Sequence, residues 1–349
     1  VCDSLQSFFL LHSMGGGTGS GLGTYILKLL KDNYEDVYRF TTAVFPSEDD
    51  DVITSPYNSV LALRELADHA DCVLPIDNQS LFDLTNRANK LVSQSGRFRN
   101  RGSSSVAYDS KTNITTNAMS GDGTQTSKGK PFDQMNNIAA NLLTNLTCSM
   151  RFEGSLNVDL NEITMNLVPF PRLHFLLSSL SPLVMPKDVN YMSPRNIDAM
   201  FTDAIHKDYQ LMTVDPRYSR YLAMGLIVRG NVPISDINRN IVKLRREIDM
   251  IHWNEEGFKV GSCSVPPVNQ AYSLLCLSNN CCIGETFSTM SQRFMKLYKK
   301  KTYVHHYTKY MDQAVFDESL ESIHTLIDEY SMLQNATPPD NIPRFVPEI

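Results

Sequence analysis

Seven consecutive residues, Gly15-Gly16-Gly17-Thr18-Gly19-Ser20-Gly21, stand between an apolar run and a helix-like segment. The run before them, Leu5-Gln6-Ser7-Phe8-Phe9-Leu10-Leu11, reads as a short buried strand, and 25–31 reads as a helix. Strand, glycine loop and helix together make a cradle for an anion. Without Cβ atoms the backbone N–H groups can close on a ligand, and the helix N-terminus adds a favourable dipole. One or two glycines would serve close packing alone. Five of them beside the Thr18 and Ser20 hydroxyls fit phosphate better. The usual phosphate motifs then fail one by one. G-x-G-x-x-G would need glycine at Ser20 or at Leu22, and the Walker pattern would need lysine where Leu22 follows Gly21. The guanine-reading N-K-x-D of switch GTPases is also missing, because Asn89-Lys90-Leu91-Val92 lacks the acid. A dinucleotide dehydrogenase and a switch GTPase are therefore poor readings. Phosphate charge here must be met by amides, the helix dipole and an accompanying metal ion.

Beyond the loop the chain alternates. A β-like run at 40–45 ends in Pro46-Ser47 and the acidic Glu48-Asp49-Asp50-Asp51; a helical stretch at 59–69 precedes a strand at 72–76. Alternation of this kind predicts α/β architecture with a parallel sheet. Met135, Ile138, Leu142 and Leu146 give 132–150 a broad helical face. Strands are expected at 173–177, 221–228 and 272–277. Helices are expected where Ile237, Ile241, Leu244, Ile248 and Ile251 recur, at 287–298, and at 316–333.

Residues 93–130 break the pattern: 21 of the 38 are Ser, Thr, Gly or Asn, and six basic against two acidic residues give +4. So polar a stretch cannot bury enough surface to offset its ordering entropy, and it reads as a flexible, exposed basic insertion. The whole chain of 349 residues carries −6, which argues against a general nucleic-acid binder and leaves −10 for the body outside the insertion. No apolar run reaches the roughly 18 residues of a membrane span, so no membrane partner is expected. The seven cysteines lack any C-x-x-C and suit reduced cytosolic thiols. His305-His306 has no second pair of ligands at a workable spacing, so no metal site is assigned. Residue 1 is Val and leads at once into a strand, which reads as a chain that starts inside its first domain.

His12-Ser13-Met14-Gly15-Gly16-Gly17-Thr18-Gly19-Ser20-Gly21 resembles the signature loop of the tubulin family. The likeness extends through Pro56-Tyr57-Asn58, Ile76-Asp77-Asn78, Arg151-Phe152, Asn166-Leu167-Val168-Pro169-Phe170-Pro171, Asp215-Pro216-Arg217, Arg229-Gly230, Pro266-Pro267 and His305-His306-Tyr307, and so covers nearly the whole chain. Within the family, 70–83, 151–157 and the polar insertion resemble epsilon-tubulin more than alpha, beta or gamma.

The resemblance implies an N-terminally truncated tubulin fold. Residues 1–92 would be the C-terminal part of a parallel-sheet GTP-binding domain, 93–130 the insertion, 131–150 the central helix, 151–285 an α+β intermediate domain and 286–349 the C-terminal helices. It implies GTP or GDP as cofactor, cradled by Ser13, Gly15, Gly16, Gly17, Thr18 and Gly19, with the guanine read by Asn78 and Asn136. Phe132 would stack on the base, and Asp51 matches an acidic position of the sugar and phosphate loop. Mg2+ ligands would lie in the missing N-terminal part. Glu162 falls where alpha-tubulin has the glutamate that reaches the neighbouring subunit's nucleotide, so it would act as catalytic carboxylate in trans in assembly-dependent hydrolysis. The implied partners are other tubulins, delta-tubulin above all, and centriolar proteins. The implied places are the cytoplasm and cytoskeleton, the centrosome and centriole as microtubule organising centre, and the basal body of the cilium. A non-hydrolysing nucleotide-binding scaffold and a gamma- or delta-like tubulin remain open as alternatives. The 183–190 loop is shorter than in alpha or beta, and the end of the chain is not a glutamate-rich tail.

Overall fold

A computed structural model describes residues 5–47, 52–99, 132–154, 156–183, 196–268 and 270–338. The first unit is a parallel sheet of three strands, β1 (Ser7–Ser13), β2 (Tyr38–Phe45) and β3 (Cys72–Asp77), in that order across the sheet. Helix α1 (Thr24–Asn33) connects the first two strands and α2 (Ser55–His69) the next two, as parallel crossovers demand. The α/β reading of this half is borne out. Strands β2 and β3 are buried along almost their whole length, Arg39, Thr41, Thr42 and Asp77 included. From β3 the chain enters α3 (Asn78–Arg99), whose backbone runs seven residues into the stretch read as an insertion; 100–131 lies outside the described residues, as do Asp51 and 184–195.

The helix expected over 132–150 is two helices, α4 (Asp133–Leu146) and α5 (Cys148–Arg151). They part at Thr147, whose hydroxyl donates back to the Leu143 carbonyl at 2.8 Å and competes with the helical ladder. A short α6 (Leu160–Leu167) leads to the second sheet. That sheet has four strands, β4 (Leu176–Ser181), β5 (Tyr221–Arg229), β6 (Phe258–Cys263) and β7 (Ser273–Asn280), ordered β4-β7-β5-β6. Its pairings are antiparallel except for β5 with β6. Helices α7 (Ile197–Ile205) and α8 (Ile234–Glu247) pack on β5 and β7 through Phe201, Ile237, Ile241 and Leu244. The two sheets meet at their edge strands: Val73 of β3 bridges Phe175, just before β4, in parallel, and the Val73 N–H donates to the His174 carbonyl at 2.9 Å.

The last three helices are α9 (Ile283–Tyr298), the single turn α10 (Val304–Tyr307) and α11 (Ala314–Gln334). They share a core with α2. Tyr57 lies at its centre, with ring centroids 5.4 Å from Phe294, 5.4 Å from Phe316 and 5.6 Å from Tyr307. The Phe316, Ile323 and Tyr330 stripe of α11 is buried here, as its spacing implied. All six described cysteines are buried as free thiols in these cores. No helix among the described residues is long and apolar enough to cross a membrane.

Candidate functional site

In a parallel sheet, ligands bind at the carboxyl ends of the strands. The sequence-derived residues converge on that edge: Ser13 ends β1, the glycine loop follows it, and Asn78 opens α3 directly after β3. The loop is anchored at its start by the Met14 N–H, which donates to the Val44 carbonyl of β2 at 3.0 Å. Gly15 is buried and its N–H donates weakly to Ser13 Oγ at 3.4 Å. From Thr18 to Gly23 the backbone forms a wide π turn before tightening into α1. Such turns cluster at functional sites because they swing amides out of the helical ladder. Ser20 Oγ donates to the Gly16 carbonyl at 2.8 Å, and Thr24 Oγ1 closes on the Ser20 carbonyl at 2.6 Å, so the hydroxyls hold the loop's shape.

Glycine is required at one point of this loop. A Cβ on Gly19 would stand 2.1 Å from the Ser13 carbonyl oxygen, an impossible contact with backbone. A Cβ on Gly16 or Gly17 would instead meet nothing within 4 Å, so the space above these residues is open and the backbone faces it bare. Thr18 is exposed beside them. Below the loop, burial lowers the pKa of His12, which keeps its imidazole neutral at pH 7. The positive potential toward an anion therefore comes from amides and the dipole of α1. This donor set fits a nucleotide polyphosphate.

The base-reading candidates lie on two helices that share a core, Asn78 opening α3 at this edge and Asn136 in the first turn of α4. Asn78 and Asn136 are exposed, and the Asn136 N–H donates to the Phe132 carbonyl at 2.8 Å. Phe132 caps α4 in a left-handed conformation (φ 71°) and leaves 65 % of its surface exposed, so the ring is available. Asn89 donates to the Gln134 side chain at 3.3 Å and links α3 with α4. Asp77, just before Asn78, is itself spent on structure: it accepts from the Thr213 hydroxyl and from the Gln79 N–H.

Glu162 lies elsewhere. It belongs to α6, which buries Leu160, Ile163 and Leu167 and turns Glu162 and Met165 outward. Gly225 of β5 allows this approach, since a Cβ there would meet Leu167 Cδ1 at 2.9 Å. Asn279 Nδ2 fixes the helix end by donating to the Leu167 carbonyl at 3.0 Å and the Leu173 carbonyl at 2.7 Å. The Glu162 carboxylate pairs with Lys259 of β6 at 2.8 Å, and the side chain as a whole stays 44 % exposed. On the segment after α6, Phe170 packs edge-on against Trp253 at 5.7 Å, and Met165, Phe170 and Trp253 leave 70, 45 and 44 % of their surface uncovered. A carboxylate on a face with three large exposed apolar side chains suits docking against another macromolecule.

Two contributors were not legible in the sequence. Asn58 of α2 donates to the Gly15 carbonyl at 2.9 Å and accepts from the Tyr307 hydroxyl at 2.7 Å, tying the loop to α10. Pro56-Tyr57-Asn58 carried a resemblance without indicating this role. The Lys259 partner of Glu162 comes from a distant strand and leaves no local signal.

Residues 1–86 match the GTPase domain of the Tubulin/FtsZ family, and residues 171–292 match the tubulin C-terminal domain. The chain is 54 % identical over 348 residues to the tubulin epsilon chain of Mus musculus, an alignment spanning 99 % of this chain and 71 % of that protein. Identity to the tubulin epsilon chain of Homo sapiens is 53 % over the same shares. The tubulin alpha-1 chain of Saccharomyces cerevisiae is 32 % identical over 341 residues, covering 94 % of this chain and 68 % of that one.

Proposed function

The chain belongs to the tubulin family, and from that premise we propose that it is a GTP-binding structural subunit acting at centrioles and basal bodies. Its place among tubulins makes it a constituent of the microtubule cytoskeleton. The finer reading is an epsilon-type one: assembly of the centriole and the formation or stability of triplet microtubules, alongside delta-tubulin and centriolar proteins.

One observation carries the nucleotide part of this reading, the open space over Gly16 and Gly17 at the carboxyl edge of a parallel sheet. Amides of 15–19 with the Ser13 and Thr18 hydroxyls would hold the phosphates. Asn78 and Asn136 would read the guanine edge, for which an amide offers both donor and acceptor. Phe132 would give the base a π-face. Mg2+ would enter with the triphosphate, since the glycine loop itself carries hydroxyls and no carboxylate. Asp51 would assist at the sugar and phosphates from outside the described residues.

Hydrolysis is proposed to be completed between subunits. Glu162 would orient the water that attacks the γ-phosphate on a neighbouring tubulin, a role of positioning rather than covalent chemistry. The exposed apolar side chains around α6 support a docked neighbour at this face. A binding-only scaffold is the second reading, favoured by the Lys259 ion pair that engages the same carboxylate.

Two measurements test these readings. The tagged protein in dividing or ciliated cells is expected at centrioles and basal bodies; uniform labelling of all microtubules would refute the centriolar role and leave the family membership untouched. Glu162→Ala is expected to slow GTP turnover in co-assembled tubulin at least tenfold, in line with the loss of a positioned general base at about 10²-fold. Unchanged turnover sinks trans-activation and selects the scaffold.

A further inference from the structure

Between Thr286 and Met311 the chain carries six basic residues and no acidic one, in a protein whose total is −6. The rest of the chain is therefore at −12. The structure gathers most of this basic charge on one short surface: the end of α9, the turn after it, α10 and the residues just beyond. Lys296, Lys299, Lys300, Lys301 and Lys309 are all exposed, and none of their ammonium groups makes a hydrogen bond or ion pair with another described residue. Arg293 is different, since its guanidinium donates to the Ser47 carbonyl at 3.1 Å and is committed to the fold.

The backbone of the turn adds an independent observation. Lys301 and Tyr303 both adopt positive φ, 51° and 59°. Lys301 follows α9 where a helix end ordinarily carries glycine: its N–H donates to the Tyr298 carbonyl at 2.8 Å, and the Thr302 N–H donates to the Leu297 carbonyl at 3.2 Å. A glycine would make the same reversal without steric penalty. Helix termination accordingly does not account for the lysine, and backbone strain kept in this way marks a surface with another task. The turn is also fixed in place. The Tyr57 hydroxyl donates to the Thr302 carbonyl at 2.7 Å, and the Tyr307 hydroxyl donates to Asn58 Oδ1 at 2.7 Å. Rings line it: Tyr303 stacks toward His306 at 6.3 Å, His306 lies 4.1 Å from His305, and Tyr310 is 91 % exposed.

We propose that the 296–310 surface docks a short carboxylate-rich segment of a partner protein. Five ammonium groups without a carboxylate partner are held on this segment for an anion, because they repel one another and the C-terminal dipole of α9 offsets only about half a charge of that repulsion. A peptide is the anion that fits. A long nucleic acid would extend past the turn onto the rest of the chain, at −12, and meet Asp312 just before α11 and Asp317, Glu318 and Glu321 in its first turns. A run of a few glutamates or aspartates ends before it reaches them. Rings beside the lysines give the peptide's aliphatic stems a surface to lie on.

The test is fluorescence anisotropy of a labelled octaglutamate peptide with the intact chain. Saturable binding is expected at 50 mM NaCl, with affinity falling about tenfold at 300 mM as screening shortens the reach of the charges. Charge reversal by Lys300→Glu with Lys301→Glu abolishes it, whereas Lys28→Glu on α1 leaves it unchanged. Lys301→Gly separates function from folding: the melting temperature rises as the strain is relieved, and affinity falls about two- to fivefold. Absence of saturable binding at 50 mM NaCl, indifference to the reversal, or tighter binding of an eight-nucleotide dT strand would each overturn the proposal.

Discussion

At the scale of single residues, the glycine loop is constrained by one contact. Gly19→Ala forces a methyl group against the Ser13 carbonyl oxygen, a distance of 2.1 Å before relaxation, so the loop must open. The expected result is loss of GTP binding in a fluorescent-nucleotide titration and a destabilisation of about 1–3 kcal/mol in a denaturant melt. Gly16→Ala has room for its methyl group and should cost nothing comparable in stability. His174 is a second instance of a residue under tight control. It is buried where the two sheets join, its Nε2 lies 3.2 Å from the Leu66 carbonyl, and desolvation pulls its pKa from 6.5 down to about 4. Between those values the unfolded chain binds the proton that the native state refuses. Stability is therefore full above pH 6.5 and declines as pH falls toward 4, by about 3 kcal/mol. His174→Gln should flatten that part of a stability profile measured by urea melts at successive pH values.

Elements were legible where one local cause decided them. All nine residues of β5 are buried, so an unbroken apolar run announced the strand. β4 was expected at 173–177 but runs Leu176–Ser181, because Ser179 and Ser181 are buried and satisfied by the Ala204 carbonyl and the Asp203 carboxylate, partners from α7 that no local pattern reveals. β7 likewise extends to Asn280, whose amide donates to the Pro216 carbonyl at 3.1 Å. Ile248 and Ile251 continue the periodicity of α8 yet lie past its end at Glu247, and both are buried without being helical. α6, with eight residues, is too short for periodicity to reveal. The loop was legible because its chemistry is contiguous, whereas Asn58 and Lys259 act through partners distant in sequence. The elements of the first sheet also share a pin that composition hides. Arg39 of β2, 5 % exposed, donates to Asp71 at 2.9 Å, to the His69 carbonyl at 3.1 Å and to the Tyr34 carbonyl at 3.2 Å. It thereby joins the ends of α1 and α2 to the start of β3. Arg39→Ala strands these acceptors and should cost about 3–5 kcal/mol by chemical denaturation. Arg39→Lys should recover only part of that, since an ammonium lacks the fork that reaches three directions.

Across the whole molecule, two sheets with separate helical covers meet at the Val73–Phe175 bridge, and charge is segregated, with a basic surface at the end of α9 set against an acidic remainder. The phosphate loop, Asn58, Tyr307 and the α10 turn form one connected line, so the nucleotide site and the basic surface are joined through side chains rather than by proximity in sequence. The six buried cysteines are also spread across this architecture: Cys72 in β3, Cys148 at the start of α5, Cys263 and Cys276 in the second sheet, Cys281 and Cys282 before α9. Burial pushes the Cys148 thiol up to about 11 and those of Cys276 and Cys281 up to about 12. Thiolate is the reactive form, so Cys148, Cys276 and Cys281 are chemically silent at neutral pH, and burial shields all six. They act as a clock for unfolding. Alkylation at pH 8 followed by peptide mass spectrometry should find them slow in native buffer and fast in denaturant, with each rate set by the opening of its own surroundings. The order in which Cys72 and Cys276 are labelled then tells which of the two sheets comes apart first.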